Sequence, residues 1–255
     1  MRMSPISEGK KQLMSWDSST ILLVDGSDTL RYYYAILLKR LEFTVMVADS
    51  AEEALRLIEI TVPSLILTDI VLPKMSGIDF IKTVKNTDRM KQVPVIVLAD
   101  RDDSAAKSAC LGIGCFDFLI KHVEPGKLYR SIQSALVPTP RAYIRLSMPL
   151  KVVVGDGTSL GGAERTEFAT TISEGGIYLR TLFPRPKDSS TPLRILIRDR
   201  SIRAKATVVY SRVMEGGFFR EPGMGMRFVD ISPEDRTFVR HFIKEQLTSD
   251  IVIGL

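Results

Sequence analysis

Short apolar segments alternate with longer amphipathic segments throughout the first half of this chain. The apolar segments are Ile21–Val24, Thr44–Val47, Leu65–Thr68, Val95–Leu98 and Phe116–Ile120. The segments between them are long enough for helices, and Leu30–Leu41 carries its leucines at helical spacing. Strands that alternate with helices predict a doubly wound α/β fold, in which helices cover both faces of a five-stranded parallel sheet.

The second half of the chain has a different pattern. Six short strand-like segments are separated by turns rich in Gly, Pro and Asp. These segments are Leu150–Val154, Glu167–Thr171, Ile177–Arg180, Leu193–Ile197, Ile202–Tyr210 and Met224–Val229. They predict a small six-stranded antiparallel β-barrel. Ser232 followed by Pro233 and two acidic residues predicts the start of a C-terminal helix.

The two halves meet at Val137-Pro138-Thr139-Pro140, where two prolines stiffen a short linker. A chain of 255 residues has enough apolar material for two cores of ordinary size. We therefore predict a flexible N-terminal tail over residues 1–18, an α/β domain over 19–137 and a β domain over 138–255.

Three charged residues fall at the ends of predicted strands in the first half. Asp25, Asp69 and Lys121 follow the first, third and fifth strands. Because the carboxyl ends of parallel strands share one edge of the sheet, these side chains should lie together. A carboxylate can attack a phosphoryl donor when a divalent cation and a lysine neutralise the incoming charge.

This layout resembles the receiver domain of two-component response regulators, which has a flavodoxin-like fold. The residues that carry the resemblance are Ile-Leu-Leu-Val-Asp25, Leu-Ile-Leu-Thr-Asp69-Ile-Val-Leu-Pro73-Lys-Met-Ser-Gly77 and Phe118-Leu-Ile-Lys121. The resemblance implies that Asp69 is the phosphoacceptor and that Lys121 binds the phosphoryl group. It also implies Asp25 and Asp69 as Mg²⁺ ligands and a histidine kinase as partner.

The first half departs from the receiver pattern at three positions. Gly26 stands where receivers carry a second acid, so Mg²⁺ affinity should fall. Ala99 replaces the hydroxyl residue that binds the phosphoryl group, and His122 replaces the proline after the lysine. Asp28 could turn toward the metal, but a role at the start of the following helix is the simpler expectation. Phosphorylation of Asp69 therefore stays open.

A second candidate site lies in the β domain. Arg141 and Arg145 can close on a planar anionic ligand, because each guanidinium offers several donors and a flat face. Ser173 adds a small hydroxyl, and Gly176 lets the backbone approach a ligand closely. A solvated basic linker remains the alternative for the arginine pair taken alone.

These residues resemble the RxxxR and (D/N)xSxxG motifs of PilZ domains, receptors for cyclic di-GMP. The carrying segments are Arg141-Ala-Tyr-Ile-Arg145, Thr171-Ile-Ser173-Glu-Gly-Gly176 and Gly223-Met-Gly-Met-Arg-Phe. The resemblance implies that Arg141, Arg145, Thr171, Ser173 and Gly176 bind cyclic di-GMP. Thr171 stands where the family has Asp or Asn, and its smaller acceptor should weaken binding by roughly 1–3 kcal/mol.

Charge and composition limit the kinds of partner that the protein can bind and the compartments in which we expect it. The first 137 residues hold 17 basic and 17 acidic side chains, whereas the remainder holds 18 and 13, so the excess positive charge lies in the β domain. A basic surface also suits DNA, but we expect no DNA binding because no recognition-helix pattern follows the linker. We expect a cytoplasmic protein without a membrane span, since no apolar segment is long enough. The spacing of Cys110 and Cys115 indicates packed, reduced thiols rather than a zinc site.

The combined hypothesis is a bacterial signalling protein that binds cyclic di-GMP through its second domain. The receiver would add phosphorylation-dependent or partner-dependent control, acting on motility or surface-associated behaviour through a protein target that the sequence does not identify. Such a chain is not an enzyme. The alternative is a scaffold in which both ligand sites have decayed, and Gly26, Ala99 and Thr171 favour it.

Overall fold

A computed structural model of the chain describes residues 19–213, 222–249 and 251, so the predicted tail over residues 1–18 lies outside the described residues. The first domain is a parallel sheet of five strands in the order β2-β1-β3-β4-β5. The strands are β1 (Thr20–Val24), β2 (Thr44–Ala48), β3 (Leu65–Asp69), β4 (Val95–Ala99) and β5 (Asp117–Ile120). The helices are α1 (Asp28–Arg40), α2 (Ala51–Ile60), α3 (Gly77–Asn86), α4 (Ser104–Gly112) and α5 (Pro125–Leu136).

Local sequence explains these elements. Every residue of β3 and β4 is buried, as expected for central strands of a sheet covered on both faces, whereas β2 at the edge is partly exposed. Each helix begins after a residue whose side chain accepts a backbone N–H of the first turn. These capping residues are Ser27, Ser50, Ser76, Asp103 and Glu124.

The second domain is a closed antiparallel barrel in the order β10-β11-β8-β7-β6-β9. Its strands are β6 (Arg145–Val154), β7 (Arg165–Ser173), β8 (Gly176–Arg180), β9 (Ser190–Ile197), β10 (Arg200–Arg212) and β11 (Gly223–Ile231). The C-terminal helix α6 (Pro233–Thr248) begins after Ser232, whose side chain accepts from Asp235 N. The predicted fold class is thus confirmed in both halves.

The first barrel strand begins five residues earlier than predicted. Arg145 is the first residue of β6 and pairs with Ser173, so the prediction that this strand begins at Leu150 was wrong. The ladder between β6 and β7 has an irregularity between Ser147 and Leu150. Buried Leu146, Leu150 and Val152 keep the alternating pattern through this bulge. Pro149 within the run is the residue that argues against a strand in sequence.

The two domains share one continuous apolar cluster. It includes Phe43 and Tyr129 of the first domain and Leu146 and Leu247 of the second. The rings of Phe43 and Tyr129 lie 6.4 Å apart between centroids. Among the described residues, no helix is both long enough and apolar enough to cross a membrane.

Candidate functional site

Three of the residues predicted from sequence meet at the carboxyl edge of the parallel sheet. Lys121 Nζ donates a hydrogen bond to Asp69 Oδ2 at 2.7 Å and lies 3.4 Å from Asp25 Oδ2. All three residues are buried. Asp25 directly follows β1, and Asp69 is the last residue of β3. Because these two strands pair in parallel, both carboxylates lie at the same edge of the sheet.

A fourth member of this cluster was missed by sequence reasoning. Asp100 follows β4 directly, and its Oδ1 lies 3.0 Å from Lys121 Nζ. The signal was present, because an acidic residue at the carboxyl end of a strand points to the same edge as Asp25 and Asp69. Three carboxylates surround one ammonium group, so the cluster carries excess negative charge.

Burial sets the ionisation of this cluster. Desolvation raises the pKa of Asp25 above its ordinary value, against the hydrogen bond from Ser27 N (2.8 Å) and the charge of Lys121. Burial alone would lower the pKa of Lys121, but hydrogen bonds to Asp69 and Asp100 raise it above its ordinary value. The cluster therefore holds a charged lysine beside a carboxylate that is destabilised in its ionised form.

The carboxylates fit a divalent cation that keeps much of its water. Asp25 Oδ2 is buried and accepts no hydrogen bond, although the Lys121 ammonium lies 3.4 Å away, so it has lone pairs available to a metal ion. Among the described residues, no group of three or more His, Cys, Asp or Glu is arranged to hold a metal ion. Asp25 and Asp69 would therefore supply the protein ligands, and waters the remainder, as Mg²⁺ tolerates. A bound Mg²⁺ would supply positive charge for phosphoryl transfer.

Gly26 packs closely against the loop after β3. A Cβ at this position would lie 3.1 Å from Pro73 Cδ and 3.9 Å from the Asp49 carbonyl oxygen. A second acid at position 26 would have to displace the proline ring slightly. The packing of Pro73 against Gly26 therefore favours a residue without a side chain at the position where receivers carry the second acid.

Replacing Asp25 by Asn should stabilise the metal-free protein at pH 7, because the amide carries no charge for burial to disfavour. An acid whose pKa is raised on folding adds stability at low pH and loses it as pH rises through the folded pKa, so a neutral amide avoids that loss. Urea unfolding in EDTA measures the stability of the metal-free protein, and urea unfolding in 10 mM Mg²⁺ measures the stabilisation by the cation. For a Kd of about 1 mM, Mg²⁺ should add about 1.4 kcal/mol to the wild type and little to the variant.

Asp28→Asn is the matched control for this measurement. The Asp28 side chain is 92% exposed and pairs with Arg31, so it does not face the cluster. The Mg²⁺ effect should survive in Asp28→Asn. An equal Mg²⁺ effect in Asp25→Asn would contradict the assignment of Asp25 as a ligand.

The segment after Lys121 is held by α1. His122 adopts a left-handed backbone conformation with φ of 61°, and its N–H donates to Tyr34 Oη at 2.9 Å. A proline at this position would have no N–H to donate. Burial raises the pKa of Tyr34 to about 12. Ala99 leaves the end of β4 without a hydroxyl group.

The second candidate site is built across the barrel strands. Arg145 pairs with Ser173 between β6 and β7, Ser173 pairs with Gly176 between β7 and β8, and Gly176 pairs with Arg227 on β11. Ser173 Oγ also donates to the Gly176 carbonyl oxygen at 3.1 Å. The structure thus brings Arg145, Ser173 and Gly176 into one row of the sheet.

A parallel row on the same sheet contains residues that sequence reasoning missed. Thr171 pairs with Tyr178, Tyr178 with Gly225, and Gly225 with Tyr210. The two tyrosine rings stack with centroids 6.2 Å apart, and the Arg212 guanidinium lies 5.5 and 5.4 Å from their centroids. Gly225 is required here, because a Cβ would overlap the Tyr210 ring. The sequence carried no local signal for this row, because the row depends on which strands pair and in which register.

Arg141 lies in the segment between the domains. Burial raises the pKa of the Tyr129 hydroxyl on α5, and the neighbouring guanidinium of Arg141 opposes that rise. Between the two arginines, Tyr143 covers the turn after β7, since a Cβ on Gly175 would lie 2.6 Å from the Tyr143 ring. The segment with Arg141 and Arg145 therefore contacts both the receiver-like domain and the turn before Gly176.

Comparisons with known proteins match each half of the chain separately. The family model described as "Response regulator receiver domain" matches residues 21–133, and the model described as "PilZ domain" matches residues 139–245. Two solved structures of similar chains are a Vibrio cholerae chemotaxis protein, CheY4, and a receiver domain from Clostridium thermocellum. The first has 25% identity and a TM-score of 0.45 and covers 47% of this chain and 99% of its own. The second has 27% identity and a TM-score of 0.44, with coverage of 46% and 94%.

Curated relatives are similar to the first half. The two-component response regulator ORR5 of Oryza sativa subsp. japonica is 36% identical over 112 residues, which cover 43% of this chain and 83% of the relative. ORR11 of Oryza sativa subsp. indica is 35% identical over 118 residues, or 46% and 80% of the two chains. The chain therefore belongs to the two-component response regulators and joins a receiver domain to a PilZ domain.

Proposed function

We propose that this response regulator is a receptor for cyclic di-GMP and that the ligand lies across the two neighbouring rows of the barrel. The observation that carries this proposal is the alignment of Arg145, Ser173 and Gly176 in one row beside Thr171 and the stacked tyrosines in the next. Positive charge, small polar groups and aromatic rings then face one ligand. That combination suits a cyclic dinucleotide, which has two phosphates and two flat bases.

Each group has a defined task in this proposal. Arg141 and Arg145 offer forked donors to phosphate oxygens and to the guanine edge, and a flat face to a base. Tyr178 and Tyr210 offer a ring surface for stacking. Gly176 lies so close to β11 that a Cβ would overlap the Met226 carbonyl oxygen, so no side chain separates a ligand from the backbone.

The receiver domain provides control in the same proposal. Asp69 accepts a phosphoryl group from a histidine kinase, Lys121 neutralises the added charge, and Asp25 with Asp69 holds Mg²⁺. The buried cluster supports this assignment, because it places two carboxylates beside one lysine, and one carboxylate oxygen accepts no hydrogen bond. The output acts through a protein partner, in motility or surface-associated behaviour.

Calorimetric titration of the full chain with cyclic di-GMP tests the proposed function. Cyclic di-AMP is the control ligand, because it has the same phosphates but lacks the guanine edge. We expect saturable binding of cyclic di-GMP at micromolar concentrations and weaker binding of cyclic di-AMP. Absence of heat at about 100 μM cyclic di-GMP, a concentration that detects affinities near −5 to −6 kcal/mol, would favour the scaffold with decayed ligand sites.

Replacing Thr171 by Asp should raise cyclic di-GMP affinity by about tenfold, equivalent to about 1.4 kcal/mol. A carboxylate can accept two hydrogen bonds from a guanine edge, whereas the threonine hydroxyl offers a smaller acceptor. The same titration on the variant measures the effect. Thr166→Asp is the matched control, since Thr166 is exposed on the outer end of the same strand. Equal changes in both variants would assign the effect to added charge and contradict a contact at position 171.

A further inference from the structure

Helix α6 is anchored at its C-terminal end by the receiver domain. Nη1 of Arg40, the last residue of α1, donates to the carbonyl oxygens of Gln246 (3.3 Å), Leu247 (3.0 Å) and Ser249 (2.6 Å). The last turn of α6 contains no basic residue of its own. The carbonyl groups that a helix leaves unpaired at its C-terminus are therefore capped by a cation from the other domain.

The N-terminal half of α6 binds the turn of the candidate nucleotide site. Arg240 donates to both carboxylate oxygens of Glu174, from Nε at 2.9 Å and from Nη2 at 2.6 Å. Arg236, one helical turn earlier, donates to the Glu174 carbonyl oxygen at 3.3 Å. The hydrogen bonds from Arg240 lower the pKa of Glu174, so the pair stays ionised at neutral pH. The Glu174 side chain is 14% exposed and that of Arg240 is 56% exposed, so the acid is shielded from water although its partner lies at the surface. Two donors on one guanidinium hold both carboxylate oxygens, which fixes the geometry of the pair.

Glu174 lies between Ser173 and Gly175 in the turn that joins β7 to β8. The Gly175 carbonyl oxygen accepts from Phe228 N at 3.0 Å, which ties the turn to β11. Tyr143, from the segment that carries Arg141 and Arg145, packs against Gly175. The position of Glu174 therefore affects both the turn and the arginine segment that packs on it.

Helix α1 joins this arrangement to the phosphoacceptor cluster. Its Tyr34 accepts a hydrogen bond from His122 N–H, directly after Lys121, and its last residue is Arg40. From Arg240 to Leu247 the helix α6 spans about 10 Å as a rigid rod, at roughly 1.5 Å per residue. A displacement of α1 would thus move α6, and α6 would in turn move the turn at Glu174.

We propose that Arg40 and Arg240 are positioning residues of the cyclic di-GMP site, which transmit the position of receiver helix α1 through α6 to the turn at Glu174. This inference rests on the proposed function for its ligand. The contacts of Arg40, Arg236 and Arg240 lie within the chain itself, so the positioning role has a test that does not depend on ligand binding.

Amide hydrogen exchange of the unliganded full chain tests the positioning role. In Arg40→Ala, the amide of Phe228 and the peptide over residues 173–177 should exchange about 3–10 times faster than in the wild type. Arg240→Ala should have a similar or larger effect, and Arg40→Lys should restore most of the protection because it keeps a cation at the helix end. Unchanged exchange at Phe228 in Arg40→Ala, with faster exchange in Arg240→Ala, would overturn the link to the receiver.

Arg198→Ala is the matched control. Arg198 also pairs with α6, through both carboxylate oxygens of Glu245 at 3.2 and 3.0 Å, but it comes from the barrel and both side chains are about half exposed. We expect no change in the exchange of Phe228. A change equal to that of Arg40→Ala would show that any loss of an α6 contact loosens the turn, and it would overturn the specific role of Arg40.

Cyclic di-GMP titration of the same variants tests the consequence for binding. Arg40→Ala should weaken binding about 3–10-fold without contacting the ligand, and the effect should be absent when Arg240 is already alanine. Additive effects of the two substitutions would overturn a shared route. If the wild type bound no ligand, the proposed function would fail, whereas the exchange experiment would still decide the positioning role.

Discussion

Replacing both Arg141 and Arg145 by alanine should abolish measurable cyclic di-GMP binding, with an affinity loss of at least about 100-fold, or more than 2.7 kcal/mol. The variant removes two charge-assisted donor groups from a ligand with two phosphates. It leaves the barrel intact, because Arg145 is exposed in β6 and its strand pairing uses the backbone. Calorimetric titration against the wild type measures the loss.

The two single alanine variants should differ in how much affinity they lose. Arg145 has the larger expected effect, because β6 fixes its backbone opposite Ser173, whereas Arg141 precedes the strand. Arg145→Lys should retain charge but lose the planar fork, so affinity should fall by about tenfold rather than recover. Full affinity in Arg145→Lys would indicate that the residue acts only as a point charge.

Arg165→Ala/Arg203→Ala is the control for net charge. Both residues are exposed at the opposite end of the barrel from Ser173, since Arg165 begins β7 and Arg203 pairs with Arg194 on β9. The change in net charge is the same as in the Arg141 and Arg145 double variant. A comparable loss of affinity in the control would mean that binding depends on the overall positive charge of the domain. It would contradict a ligand site at Arg141 and Arg145.

The parallel sheet was predictable because its central strands are buried on both faces and give continuous apolar runs in the sequence. The ends of those runs also predicted Asp25, Asp69 and Lys121 at one sheet edge. The start of β6 was missed because Pro149 lies inside the run, and a proline argues against a strand even where the apolar residues alternate.

Contacts that depend on strand register or on domain packing could not be derived from local patterns. The pairing of Tyr178 and Tyr210 across Gly225 requires the register of three strands that are distant in sequence. Arg40 is separated from the carbonyl groups that it caps by more than 200 residues. A short-range pattern has no information about either arrangement, because side-chain periodicity specifies which face is buried and leaves the neighbouring element open.

The acids of the cluster depend on one lysine for neutralisation. Gly26 leaves the position after Asp25 without a carboxylate. Asp25, Asp69 and Asp100 lie 3.4, 2.7 and 3.0 Å from Lys121 Nζ. Lys121 then becomes the main source of neutralisation whenever the divalent cation is absent.

Replacing Lys121 by Met should therefore lower the free energy of unfolding by about 3–5 kcal/mol at pH 7, because it leaves buried carboxylates without a partner. Methionine keeps the length and apolar stem of the lysine, so the loss comes mainly from the missing charge. Urea unfolding in EDTA at several pH values measures it. Lys127→Met, on an exposed position of α5, should change stability by less than about 0.5 kcal/mol.

The pH dependence separates lost charge from lost packing. Desolvation already raises the pKa of Asp25, and removal of the lysine charge should raise it further. A carboxyl with a raised folded pKa contributes stability when protonated and loses that contribution as pH rises through the folded pKa. The stability difference between wild type and Lys121→Met should accordingly shrink as pH falls from 8 toward 5, and added Mg²⁺ should recover part of it at pH 7. A difference that stays constant with pH and with Mg²⁺ would show that Lys121 stabilises the domain by packing alone, and the phosphoacceptor cluster would lose its electrostatic basis.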